Sequence, residues 1–220
     1  MWAKLYNGIL DTVFPVTTRE HIVKKLYDDK ASLEMTPRKN TTTSGTDVTT
    51  LLEYNARYVR KLIHSLKFYN SQKSAYVLAH LLNDYLVEYL ADRMLYESAK
   101  TLIVPVPLSK KRKRERGFNQ IERVLDELIK INGDFKEIVN IGMLTRTKHT
   151  TPQTRLNKKD RLSNLAGAFE VKNTCKANLQ NTHIIVLDDI CTTGATLAET
   201  KGVLEKTGCK KVMLLAFAHA

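Results

Sequence analysis

The chain has 220 residues, 43% of them hydrophobic, enough for one α/β domain with a substantial core and a modest appendage. Its three cysteines, Cys175, Cys191 and Cys209, are too few and too scattered for a disulfide framework or a four-thiolate zinc site, and no uninterrupted apolar run reaches the ~18 residues of a membrane span. The net charge of +12 is concentrated, because Lys110 to Arg116 and Arg146 to Arg161 each hold six basic residues against one acid; charge placed this way points to anionic partners at two loops.

From Trp2 to Phe14, residues Leu5, Ile9, Leu10, Val13 and Phe14 are spaced like one helix face ending at Pro15, and Lys4 and Asp11 break the apolar content of a signal peptide. A cytoplasmic chain without membrane insertion is expected. Thr17-Thr18-Arg19-Glu20 can cap a second short helix through Leu26, and Pro37 to Thr50, polar and Thr-rich, reads as a linker or loop. Residues 1–50 are thus expected to form a small, partly helical extension, and residues 51–220 the main domain.

Leu51, Leu52, Tyr58, Val59, Leu62, Ile63 and Leu66 recur at three and four spacings and predict an amphipathic helix over 51–68; a second helix is expected from Lys73 to Leu90. His64 and His80 fall within these helices and carry no assigned role. Thr101 to Val106 reads as the first buried strand, closed by Pro105-Val106-Pro107. The basic turn Lys110 to Arg116 follows, then a helix opening at Gly117-Phe118-Asn119-Gln120 and running to about Lys130. Ligands gather at the carboxyl ends of strands in α/β sheets, so a pyrophosphate at this turn is geometrically reasonable, and a solvated basic turn is the plainer alternative.

Ile138 to Thr145 predicts a further strand. The polar loop from Arg146 to Gln153, with no apolar anchor before Leu156, suits a mobile lid. Gly167 to Val171 and Lys211 to Phe217 read as strands, and the alternation of strands and helices implies a mostly parallel sheet.

Between the last two strands lies the stretch with the most chemistry, His183-Ile-Ile-Val-Leu-Asp188-Asp189-Ile-Cys-Thr192-Thr193-Gly194-Ala195-Thr196. A short aliphatic run rich in β-branched residues predicts a buried strand with two carboxylates at its end, and a helix begins near Gly194 and runs to Lys206. Its first turn offers free N–H groups and the positive end of the peptide dipoles. Thr192, Thr193 and Thr196 can add hydroxyl donors, and Gly194 permits close backbone approach, so a phosphate fits. Paired acids suit vicinal hydroxyls, which donate to carboxylates. The implied ligand is a sugar phosphate; the chain contains neither G-x-x-x-x-G-K-[ST] nor a G-x-G-x-x-G after a strand.

The run from Val186 to Thr196 resembles the phosphoribosyl-pyrophosphate motif of type I phosphoribosyltransferases. The resemblance implies that fold, with a mostly parallel central sheet flanked by helices. It also implies that Asp188 and Asp189 hold the ribose hydroxyls as catalytic-site acids and that Thr192, Thr193, Gly194, Ala195 and Thr196 hold the 5′-phosphate. Val104-Pro-Val-Pro-Leu108, Arg114-Glu-Arg116-Gly-Phe-Asn-Gln120 and the block containing Arg146, Thr150, Pro152, Gln153, Leu156, Arg161, Asn164 and Gly167-Ala-Phe169 are similar to segments of the ComF proteins, competence-associated relatives of those enzymes.

That likeness implies binding of phosphoribosyl pyrophosphate with Mg²⁺, the ion held without direct protein ligands, and a part in DNA uptake beside single-stranded DNA and the competence helicase machinery. Pro107, Lys110, Lys111, Arg112, Arg116, Arg146 and Lys148 would meet the pyrophosphate, and Lys111, Arg112, Lys113 and Arg114 a nucleic-acid backbone. Many ComF proteins carry an N-terminal cysteine zinc ribbon; no Cys precedes 175 here, so no zinc is expected. Asn70 also stands where the family often has Gly. A transferase, a non-catalytic nucleotide- or DNA-binding module and a nucleobase salvage enzyme remain the competing functions.

Overall fold

The computed structural model describes residues 23–27, 33, 35–95, 98–147, 167–176 and 179–220. The helix expected from Trp2, the lid residues from Lys148 to Gln153, and Leu156, Arg161 and Asn164 lie outside them. Residues 23–27, at the end of the helix expected after Thr17, are helical.

In chain order the elements are β1 (Arg38–Thr41), β2 (Asp47–Glu53), α1 (Arg57–Tyr69), α2 (Gln72–Met94), β3 (Lys100–Pro105), α3 (Lys110–Arg116) and α4 (Gln120–Ile131). A 3₁₀ turn (Gly133–Glu137) leads to β4 (Leu144–Arg146) and β5 (Phe169–Val171), followed by a single turn, α5 (Asn173–Lys176). The chain ends with β6 (Thr182–Cys191), α6 (Ala195–Glu205) and β7 (Lys211–His219).

The five-stranded sheet has the order β1-β2-β7-β6-β3. Strands β2, β7, β6 and β3 are mutually parallel and β1 is the antiparallel edge, so the expected α/β class with a mostly parallel sheet is what the chain adopts. Strand periodicity explains the two cores. Ile185 and Leu187 of β6, with Ile103, Leu215 and Phe217, pack under α1, α2 and α4 through Leu62, Leu66, Leu78, Leu82 and Leu125. Ile184 and Val186, with Val104, Leu214 and Ala216, pack on the other side against Phe169 of β5 and Leu197 and Leu204 of α6. A strand covered on both faces must be apolar at every position, which is why the run Ile184 to Leu187 does not alternate with polar residues.

Several expectations are corrected. Pro37 to Thr50 is no linker: it supplies β1 and much of β2, with Thr49 and Thr50 paired to Leu215 and Ala216. The boundary at residue 50 runs through β2. Leu51 and Leu52 accordingly belong to that strand, and α1 starts at Arg57; Thr is β-branched, and a Thr-rich hairpin with Gly45 at φ +73° near its tip satisfies strand and turn chemistry together. The basic turn is a helix, because Ser109 caps it by accepting from the Arg112 N–H (3.2 Å) and Gly117 ends it in the left-handed region. The strand expected over Ile138 to Thr145 divides: Val139 makes an isolated parallel bridge to Ile103, while β4 pairs with β5 in a separate antiparallel ribbon. Asn70, at φ 49°, ends α1 in the left-handed conformation a glycine would take there.

Candidate functional site

At its carboxyl end β6 carries Asp188 and Asp189 into the space between α1, α3 and α4. The two acids are not equivalent. Asp189 is 5% exposed. Its Oδ2 accepts from Lys67 Nζ (3.1 Å) and Gln120 Nε2 (2.6 Å), and its Oδ1 from the Ile190 N–H (2.7 Å). Burial by itself would raise this carboxyl, but the charge and hydrogen bond of Lys67, then Gln120, outweigh it and hold the group below its ordinary range. Asp188 is half-buried and accepts from the Asp189 N–H (2.8 Å); among the described residues no ion pair closes on it. Burial first, and the adjoining Asp189 charge second, push it up to about 7.

Past Cys191 the chain makes the strand-to-helix turn expected from sequence. Gly194, at φ 76°, is the N-cap of α6, and Thr193 Oγ1 accepts from the Ala195 N–H at 3.4 Å. Thr192 is exposed and Thr196 half-buried, whereas Thr193, Gly194 and Ala195 are buried. The cover is the tip of the β1–β2 hairpin: the Thr43 hydroxyl (3.2 Å) and the Ser44 N–H (3.3 Å) both donate to the Thr193 carbonyl.

The basic helix α3 divides its charges between two sides. Arg112 and Arg116, one turn apart, face the acids. Arg116 donates to Gln120 Oε1 (3.2 Å), lies 5.4 Å over the Phe68 ring, and feels the charges of Asp189 and Asp188. Arg112 feels Asp188 and raises the potential at both Arg116 and Arg146. Arg146, 5.3 Å over the Phe169 ring, approaches Asp188 from β4. Burial first and Arg112 second lower the pKa of Arg116 and of Arg146 from the usual guanidinium value. Lys110, Lys113 and Arg114 instead line an open cavity of about 450 Å³ on the outer side, and Lys111 spans to Glu115 at 3.9 Å. Pro107 is half-buried just after β3; Lys148 lies outside the described residues.

The structure therefore brings together Asp188, Asp189, Arg112, Arg116 and Arg146, and separates from them Lys110, Lys113 and Arg114. Sequence reasoning missed the role of Lys67, which stands in the Lys-Phe/Tyr pair that precedes Asn70 in the family pattern and was assigned nothing there, and the hairpin residues Thr42 to Ser44. Gln120 was legible as part of a motif but not as a partner of Asp189. Among the described residues no group of three or more His, Cys, Asp or Glu could hold a metal ion, and no helix is long and apolar enough to cross a membrane.

No protein-family model matches the sequence. It is 33% identical over 160 residues to Competence protein F of Haemophilus influenzae, covering 72% of this chain and 67% of that protein. It is 33% identical over 157 residues to DNA utilization protein YhgH of Escherichia coli, covering 70% of this chain and 63% of that one. The match therefore spans about two thirds of the length of these relatives. Among solved structures, a hypoxanthine phosphoribosyltransferase from Staphylococcus aureus is similar with a TM-score of 0.40 at 11% identity, over 68% of this chain and 74% of that one. On the identity and extent of the first of these matches, the chain belongs to the family of Competence protein F.

Proposed function

We propose that this protein binds phosphoribosyl pyrophosphate together with Mg²⁺ at the end of β6, and that it does so in the service of DNA uptake. The observation that carries the first half is the convergence of one half-buried carboxylate, Asp188, with Arg112, Arg116 and Arg146 beside a strand-to-helix turn capped by Gly194. Vicinal ribose hydroxyls would donate to Asp188, with Asp189 fixing the strand end behind it. The 5′-phosphate would meet the first turn of α6 and the hydroxyls of Thr192 and Thr196. The inward guanidiniums would neutralise the diphosphate, each offering paired N–H donors to phosphate oxygens. Bound Mg²⁺ would add charge neutralisation on the diphosphate oxygens, with Asp188 the carboxylate beside it.

The names borne by the relatives, a competence protein and a DNA utilization protein, support the second half. The outer side of α3 supports it further, since Lys110, Lys113 and Arg114 open on solvent away from the acids and can follow a phosphodiester backbone. That same feature favours a second reading, in which the chain is a non-catalytic module that holds single-stranded DNA and senses the sugar phosphate.

Calorimetric titration with phosphoribosyl pyrophosphate and Mg²⁺, repeated on Asp188→Asn, tests the site; equal affinity in the two proteins rejects the sugar assignment. Pyrophosphate release measured against a panel of nucleobases separates a transferase from a module.

A further inference from the structure

Four elements meet at Asp189 in a closed circuit of contacts. Lys67 reaches Asp189 Oδ2 from the last turn of α1, and Gln120 reaches the same oxygen from the first residue of α4. The Gln120 amide has one orientation here, because Asp189 can only accept and a guanidinium can only donate: Nε2 faces the acid and Oε1 faces Arg116 of α3 (3.2 Å). Arg116 in turn lies on the ring of Phe68, the residue after Lys67. Gln120 is 4% exposed, and the Lys67 side chain 23%.

We infer that Lys67 and Gln120 are positioning residues for the diphosphate end of the ligand, acting through Arg116 rather than by touching the sugar. The inference rests on the reading that phosphoribosyl pyrophosphate binds at this site. The ammonium of Lys67 keeps Asp189 an acceptor, the acid fixes which way the Gln120 amide points, and the amide oxygen with the Phe68 ring holds the Arg116 guanidinium at one place and angle. Without Lys67, the acid is a buried charge with one neutral side-chain donor, and the amide has no reason to keep its oxygen toward Arg116. A guanidinium released from such a bracket loses the fork geometry that phosphate recognition needs.

The consequence is selective. Phosphoribosyl pyrophosphate and ribose 5-phosphate share the pentose and the 5′-phosphate and differ in the diphosphate that Arg116 would meet. Affinities for both ligands, measured with Mg²⁺ on the full chain, should show that Lys67→Met and Gln120→Leu each weaken phosphoribosyl pyrophosphate by about tenfold or more while ribose 5-phosphate changes by less than about twofold. Lys67→Arg should retain most of the affinity.

Phe68→Leu keeps both side-chain partners of Asp189 and alters a partly exposed ring, so it reports on Arg116 even if the buried variants fold poorly. It should show the same selectivity on a smaller scale. Equal losses for the two ligands, or no loss for either, would overturn the inference. Failure of the unaltered chain to bind phosphoribosyl pyrophosphate would overturn the site reading on which it stands.

Discussion

Gly194→Ala tests how tightly the β1–β2 hairpin is fitted to the turn before α6. At φ 76° an L-residue with a side chain is strained by about 1–2 kcal/mol. The added methyl would also stand 2.6 Å from Thr42 Cβ and 2.7 Å from Thr42 Cγ2, with Thr42 Oγ1 nearer still. Thr42 cannot turn aside freely, since its hydroxyl donates to the Thr46 carbonyl (2.9 Å), accepts from the Thr46 N–H (3.3 Å) and is bonded to Ser44 Oγ (2.7 Å). Displacing the tip loses part of that set, at about 0.5–1.5 kcal/mol per bond. The variant should therefore be destabilised by about 2–4 kcal/mol, a fall in Tm of about 4–16 °C for a chain of this size.

Thr42→Ala leaves a Cβ in the way, so relief requires Thr42→Gly. The loss in the Gly194→Ala/Thr42→Gly double variant should be smaller than the sum of the single losses by about 1–2 kcal/mol in a denaturant-unfolding cycle. Additive losses, or a Gly194→Ala variant within about 0.5 kcal/mol of the parent, would show that the hairpin does not press on this turn.

Asp188→Asn should make the unliganded protein more stable while weakening phosphoribosyl pyrophosphate binding. A carboxyl raised from 3.8 to about 7 by burial and the Asp189 charge binds its proton more tightly when folded, so stability falls as pH rises through that window; the gain in Tm should be absent below pH 4, grow toward pH 7 and be constant above it. Combined Lys110→Ala, Lys113→Ala and Arg114→Ala should weaken single-stranded DNA binding and lower its salt slope by about 2, at about 0.7 per lost phosphate contact, with sugar-phosphate affinity unchanged. An unaltered slope would remove the outer face of α3 from the DNA reading.

The parts of the fold legible in the sequence are those where one local signal has one meaning. The short run to Leu187, rich in β-branched residues and closed by turn chemistry, reads as a strand, and Gly194 after a hydroxyl-rich turn reads as the opening of a helix. The hairpin was hidden because Thr serves strands and polar loops alike, and what makes Asp47 to Glu53 a strand is the neighbouring β7 edge, which no local pattern announces. The charges on α3 were legible as a cluster. Their separation was not, since it depends on the helical turn that carries Arg112 and Arg116 to one side and on the hydrogen bond from Arg116 to Gln120 of α4. Lys67 was hidden for a similar reason, because a lysine in the last turn of a helix usually faces water, and its partner lies 122 positions further along the chain.

The electrostatics of the site also fix the direction of a proton. Lys67, Arg112, Arg116 and Arg146 face Asp188 and Asp189, and Lys67 is already matched to Asp189. The three guanidiniums lie in the field of Asp188, whose ionisation is opposed by burial and by its neighbour. Hydroxyls donating to Asp188 stabilise its charged form and favour loss of the proton that burial and the Asp189 charge help it to hold. Calorimetry in buffers of different ionisation enthalpy measures that proton directly. The ligand's own phosphates also exchange protons near neutral pH, so the telling quantity is the difference between proteins: release near pH 7 should be larger in the parent than in Asp188→Asn. Equal release from the two proteins would mean that the sugar hydroxyls do not meet this acid, whatever else the guanidiniums hold.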